Sequence, residues 1–200
     1  NKTGGNGGGI NGNVTMSDQA RIQGNTAGYG GGVQGSLVMN GGFLCENTAS
    51  GGSGGGGIAG TVTLHEGEIS GNHSAGAGGG VRGTLYMNGG VIKDNTTSNG
   101  GGALCGGGIL SGGEITNNQA SSTGGCAYLL ENGRNLTITG DVQIHNNRAV
   151  HGGAVSLVGG TVQISGGVIS ENQANRLGGG VYVWTSNALN PELIIEKEAV

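Results

Sequence analysis

Gly78-Gly79-Gly80-Val81-Arg82-Gly83-Thr84-Leu85-Tyr86-Met87-Asn88-Gly89-Gly90-Val91-Ile92-Lys93-Asp94-Asn95 holds, in one run, every element that recurs along the chain. It opens on Gly-Gly-small-apolar, passes through an alternating apolar pair and a Gly pair, and closes on apolar-x-x-Asn. The opening motif occurs eight times, ending at Ile10, Val33, Ile58, Val81, Leu104, Ala127, Val155 and Val181. The gaps between these residues are 23, 25, 23, 23, 23, 28 and 26. The slot before each takes only Gly, Ala or Cys, so it has room for almost no side chain. The closing motif sets Asn25, Asn47, Asn72, Asn95, Asn118, Asn147 and Asn172 three residues after Ile or Leu. Asn1, six residues ahead of Gly7, fits the same slot. Between the motifs, pairs such as Leu37/Met39, Leu85/Met87 and Val162/Ile164 are two residues apart, the period of a strand.

The repeat decides the class, because composition alone points elsewhere. Gly and Pro make up 52 of 200 residues, and Ile, Val, Leu and Phe only 42. Without a period those values belong to low-complexity chains; with one they belong to a solenoid. A single cassette cannot bury its few apolar residues, whereas stacked cassettes bury them in a continuous core. The pattern therefore predicts an all-β, right-handed parallel β-helix over residues 1–200. It has about eight coils of roughly 24 residues, with three short strands each, and reads as one continuous segment of a longer chain. Stacked Asn side chains can bond amide to amide up the column, which assigns the seven Asn residues a structural role. A calcium-binding β-roll would need Asp in its glycine-rich nonapeptides, and a leucine-rich repeat its own Leu pattern; both are absent.

Other classes are excluded on similar grounds. Eight basic and twelve acidic residues, scattered, leave no nucleic-acid footprint. No apolar run is long enough for a membrane-spanning helix. Cys45, Cys105 and Cys126 lack metal-ligand spacing, and His65, His73, His145 and His151 fall in different slots, so neither a metal nor another cofactor is expected. Cys126, in the small slot, should be buried, whereas Cys45 and Cys105 should face outward.

Gly152-Gly153-Ala154-Val155 and Gly101-Gly102-Ala103-Leu104, with Ile92-Lys93-Asp94-Asn95 and its equivalents, resemble the repeat of the chlamydial polymorphic outer membrane proteins and related bacterial adhesin-like surface proteins. The second motif has Ile or Leu where Phe is typical of those proteins. The resemblance covers essentially the whole chain. It implies a secreted or cell-surface β-helix used in adhesion, with a host glycan or surface protein as partner.

Candidate contacts lie outside the repeat's own demands. Alternation along Val181-Tyr182-Val183-Trp184 points Tyr182 and Trp184 outward, and Tyr128 shares Tyr182's slot two coils earlier. Exposed aromatic rings can stack on sugars or anchor a partner. Extra residues near Glu131–Arg134 and Ser186–Pro191 form loops where binding functions often sit. Glycan-cleaving enzymes also use β-helices, so carboxylates sharing a slot matter: Glu68 with Glu114, and Glu46 with Asp94, each two coils apart. Three functions follow: an adhesive scaffold, a filament built by head-to-tail stacking of uncapped coil ends, and a carbohydrate-active enzyme.

Overall fold

The computed structural model describes residues 1–131, 133–185 and 189–196. These form a parallel β-solenoid with no helix. The opening motifs of the eight cassettes pair side by side in sequence order, giving eight rungs and seven steps. Every step is in register on the repeat, as in Val33↔Ile58, Ile58↔Val81 and Val81↔Leu104. A second, seven-stranded sheet closes the far side of the rod, built from segments of two to five residues after each ladder Asn, such as Thr48–Ala49 and Gln173–Leu177.

The expected three strands per coil appear in rungs six and seven, as in Ala127–Leu129, Asn135–Ile138 and Gln143–His145. In rungs two to five they run on into one strand of thirteen residues, such as Val81–Lys93. That strand turns its corner without ending, because the Gly pair absorbs the bend as a register shift, for example between Met39 and Phe43. The short strand after the Asn is an element the repeat did not announce.

The core is a narrow column. Leu37, Val62, Leu85 and Leu136 line one row, Leu44, Ile69, Ile92, Ile115 and Ile144 another, all essentially inaccessible to solvent. A fully buried Leu or Ile contributes about 1.5–3 kcal/mol. An isolated rung would leave both faces of its row wet, so stacking is what makes the burial favourable.

The Gly-Gly-small motif follows from the close approach of rungs at this turn. Gly78 has φ +72°, a left-handed conformation that suits glycine. A Cβ on Gly79 would lie 2.4 Å from the carbonyl oxygen of Gly102 and 2.6 Å from that of Thr96, so no side chain fits. The third slot faces the core beside the ladder Asn and admits Ala103, Cys126 and Ala154, all fully buried. Burial pushes the Cys126 thiol up to about 12.

The Asn column runs inside the opposite turn. Nδ2 of Asn25, Asn47, Asn72, Asn95, Asn118 and Asn147 each donates to Oδ1 of the next Asn at 2.9–3.0 Å. The backbone N–H of the same residues donates to the same Oδ1 at 2.9–3.1 Å. Nδ2 also reaches back to a carbonyl of the preceding rung, as from Asn95 to Ile69 at 2.9 Å. Asn1 extends the column, its Nδ2 donating to Asn25 Oδ1 at 2.8 Å. The residue before each ladder Asn adopts a left-handed conformation: Gly24, Glu46, Gly71, Asp94, Asn117, Asn146 and Glu171 have φ between 54° and 67°. That explains the shared slot of Glu46 and Asp94 as a backbone requirement, met at some cost by a side chain with a Cβ.

Two stability outcomes follow. Asn95→Ala leaves the Asn72 N–H without its acceptor and takes one donor each from the Ile69 carbonyl and from Asn118 Oδ1, which keeps the Asn95 N–H, a loss of about 2 kcal/mol or more at about 1–3 kcal/mol per buried orphan. Asn172→Ala, in the last rung and partly solvated, should cost about 1 kcal/mol. Denaturant midpoints with unchanged slopes would check this ranking. Glu171→Gly relieves the left-handed strain and should raise stability by about 0.5–1 kcal/mol, net of glycine's greater unfolded-state freedom; a lower melting midpoint would contradict it.

Candidate functional site

The buried Asn column presents nothing to solvent, so the rod's chemistry lies on its outer face. The slot after each core residue of the opening motif builds an outward column, Gln34↔Ala59↔Arg82↔Cys105↔Tyr128↔Ser156↔Tyr182. Across the glycine turn runs a second column that includes Tyr29 and then, in the middle rungs, Gly54, Ala77 and Gly100. Its pairings include Asn6↔Tyr29, Thr123↔His151 and His151↔Leu177. The small residues make this column low, and large side chains of the first column lean over it. The Tyr128 ring lies on Gly100, where an added Cβ would be 2.3 Å from a ring carbon.

The result is a cleft of about 330 Å³ along the rod, bounded by Tyr29 and Tyr128 and walled by Leu130, Glu131 and Arg134. The coil-six insertion supplies that wall. The floor includes Gly83 and Gly106, where an added Cβ would fall 2.0 and 1.9 Å from a carbonyl oxygen of the neighbouring rung, so no side chain fits. Tyr29 lies in the second rung and Tyr128 in the sixth, four steps or roughly 19 Å along the axis. The Arg82 guanidinium lies 5.9 Å from the Tyr29 ring centroid, and its Nη1 donates to the Ser53 carbonyl. Arg134 Nε meets Glu131 Oε2 at 3.3 Å, both side chains well exposed. Burial pushes up both the Cys105 thiol and the Tyr128 phenol. Both groups are therefore neutral hydrogen-bonding partners near neutral pH, and Cys105 is not a thiolate nucleophile.

The three aromatic residues named from sequence do not share one site. Tyr128 is half-buried in the cleft. Tyr182, two rungs on, stacks on His151 with ring centroids 5.0 Å apart. Trp184 is 50% exposed, and its backbone N–H donates to Leu157 at 2.9 Å. Between the tyrosines, Ser156 Oγ is buried with no hydrogen-bond partner among the described residues, as is Nδ1 of His151. The loop at Ser186–Pro191 lies partly outside the described residues. Tyr29 and Arg82 escaped the sequence-based site because each occupies an ordinary slot of its own coil, whereas Arg134 lies in the Glu131–Arg134 insertion that the sequence marks as a place for binding. The signal was there in column form: aligning the outward slots places Arg82, Cys105 and Tyr128 on consecutive rungs.

The carboxylate face is separate. Glu68, Val91 and Glu114 pair in one row. Glu68 Oε2 meets Lys93 Nζ at 3.0 Å, and Glu114 Oε1 meets His145 Nε2 at 3.0 Å. Burial acts to raise the Glu68 carboxyl, but hydrogen bonds from Ser70 and Lys93 and the Lys93 charge outweigh it, and the net direction is down. An acid that protonates a glycosidic oxygen needs the opposite shift. Cys45 faces outward, as alternation with core Leu44 requires, yet is only 8% exposed because its short side chain sits between Gln23 and Ser70 in its row and close to Arg21 and Glu46. Asn72-His73-Ser74 and Asn95-Thr96-Thr97 match the N-glycosylation pattern, but both Asn residues are ladder residues buried in the fold. No group of His, Cys, Asp and Glu among the described residues could hold a metal ion.

The chain matches no protein-family model, no curated protein and no solved structure.

Because the folded Glu68 carboxyl lies below its unfolded value, its contribution is fully present above the ordinary carboxylate range and lost as pH falls through the folded value. The pair is partly exposed, so the effect is at most about 1 kcal/mol. Glu68→Gln should remove that part of the acid sensitivity while leaving other acid-dependent losses in place. Urea midpoints compared between pH 7 and pH 3 would check it.

Proposed function

We propose that this chain is an adhesive scaffold: a stretch of β-solenoid in a large secreted or surface-displayed bacterial protein, holding a host or neighbouring cell through contacts on its outer face. The observation that carries the reading is the cleft between Tyr29 and Tyr128. It gathers exposed and half-exposed large side chains that the repeat does not require, on a rod whose interior hydrogen bonds are otherwise used for stacking. The resemblance of the Gly-Gly-Ala-apolar and apolar-x-x-Asn motifs to adhesin-like surface proteins supports the same reading.

The test is binding of the fluorescently labelled chain to mammalian and bacterial cells by flow cytometry. Saturable binding that falls at least tenfold in Tyr128→Ala, with an unchanged circular-dichroism spectrum, is the expected result. Absence of saturable binding, or turnover of a polysaccharide panel, would overturn the reading.

Self-assembly is the second reading, favoured by the last rungs. Leu177 is 52% exposed and Ile195 61%, at the end of the rod where their rows continue no further among the described residues. A filament would cover them, and sedimentation that grows with protein concentration would support it over the adhesive reading.

A further inference from the structure

Resting on the adhesive reading of the cleft, we infer that its ligand is a carboxylated oligosaccharide lying along the rod axis. The chain as a whole carries a formal charge of −4, yet two guanidinium groups, Arg82 and Arg134, line this one cleft with a single carboxylate, Glu131. One of Arg82's five donors is used on the Ser53 carbonyl, which fixes the side chain while leaving donors of the planar fork for a ligand. Among the described residues the Arg134 guanidinium has one partner, an exposed contact through Nε with Glu131, the kind of pair that contributes little and yields readily to a competing anion. A planar carboxylate matches such forks bidentately.

The remaining lining decides what carries the carboxylate. Tyr29 and Tyr128 offer ring faces with a polar tip, suited to the mixed apolar and hydroxylated surface of a sugar. Asn99 and Ser53 add amide and hydroxyl groups for sugar hydroxyls. An extended peptide is disfavoured because strands in the walls are already paired with the rungs above and below, leaving no free edge for strand addition. A nucleic acid would need more cations than two along this length. The two tyrosines are anchored four rungs apart, and although Tyr128 leans one rung nearer over Gly100, the span still suits an oligosaccharide better than a single sugar unit.

Titration calorimetry of the whole chain would use a tetrasaccharide of 1,4-linked uronic acid, a sialyl trisaccharide, and the carboxyl-reduced form of each. Binding of either acidic probe at least tenfold tighter than its reduced form is the expected result. Arg82→Ala and Arg134→Ala should each weaken it about tenfold, and Arg82→Lys, which keeps the charge but not the fork, should fail to restore it. Tyr128→Ala should weaken acidic and reduced probes alike, and Arg148→Ala, outside the cleft, should change nothing. Equal affinity for acidic and reduced sugars, no binding of any probe, or loss of binding in Arg148→Ala comparable to Arg82→Ala would overturn the inference. Cell binding without carboxylate dependence would overturn this inference and leave the adhesive reading standing. Carboxylate-dependent sugar binding without cell binding would do the reverse.

Discussion

Asn-to-Asn hydrogen bonding between rungs is the constraint on which the rest depends. The ladder amides from Asn25 to Asn147 are buried, and a buried amide without partners is costly. The next rung provides them: Asn95 Oδ1 receives two donors from Asn72, and its Nδ2 is shared among Asn118, Lys93 and Ile69. The residue ahead must turn left-handed to deliver the side chain inward, and the third slot of the Gly motif must stay small to leave space beside it. Turn geometry, glycine placement and core width are consequences of one repeated amide contact.

Against that frame the rungs divide by what their outer slots carry. The rung around Ile58 keeps both slots low, with Gly54 and Ala59, the Val81 rung sets low Ala77 beside Arg82, and the coil-six insertion rises beside them. The cleft is therefore neither a scaffold feature nor a loop feature alone. Regular coils provide its floor and one tyrosine, and the irregular coil provides the wall and the other. The charged face around Glu68, Lys93, Glu114 and His145 is organised differently, as ion pairs between neighbouring rows that tie their carboxylates up.

Much of this was legible in the sequence because the period exposes it. The Asn slot, the small slot and the core rows each recur often enough to be read as columns. The joined thirteen-residue strands were not legible, since a Gly pair that ends a strand and one that bends it look alike. The burial of Cys45 was not legible, because alternation gives the side a residue faces but not the height of its neighbours in the row. The cleft was only half visible. Tyr128 stood out as a rare aromatic, whereas Tyr29, Arg82 and Arg134 come from different coils and meet only once the rungs are stacked.

The ladder also has a direction. In every step the earlier Asn donates and the later one accepts, so the side-chain amide dipoles align head to tail instead of cancelling as strand dipoles do. The column behaves like a thin electret running through the rod, with partial negative charge at the Asn1 end and partial positive charge at the Asn172 end. Two such rods brought end to end would meet acceptor to donor in one orientation and like pole to like pole in the other, so the column alone gives the solenoid an axial polarity.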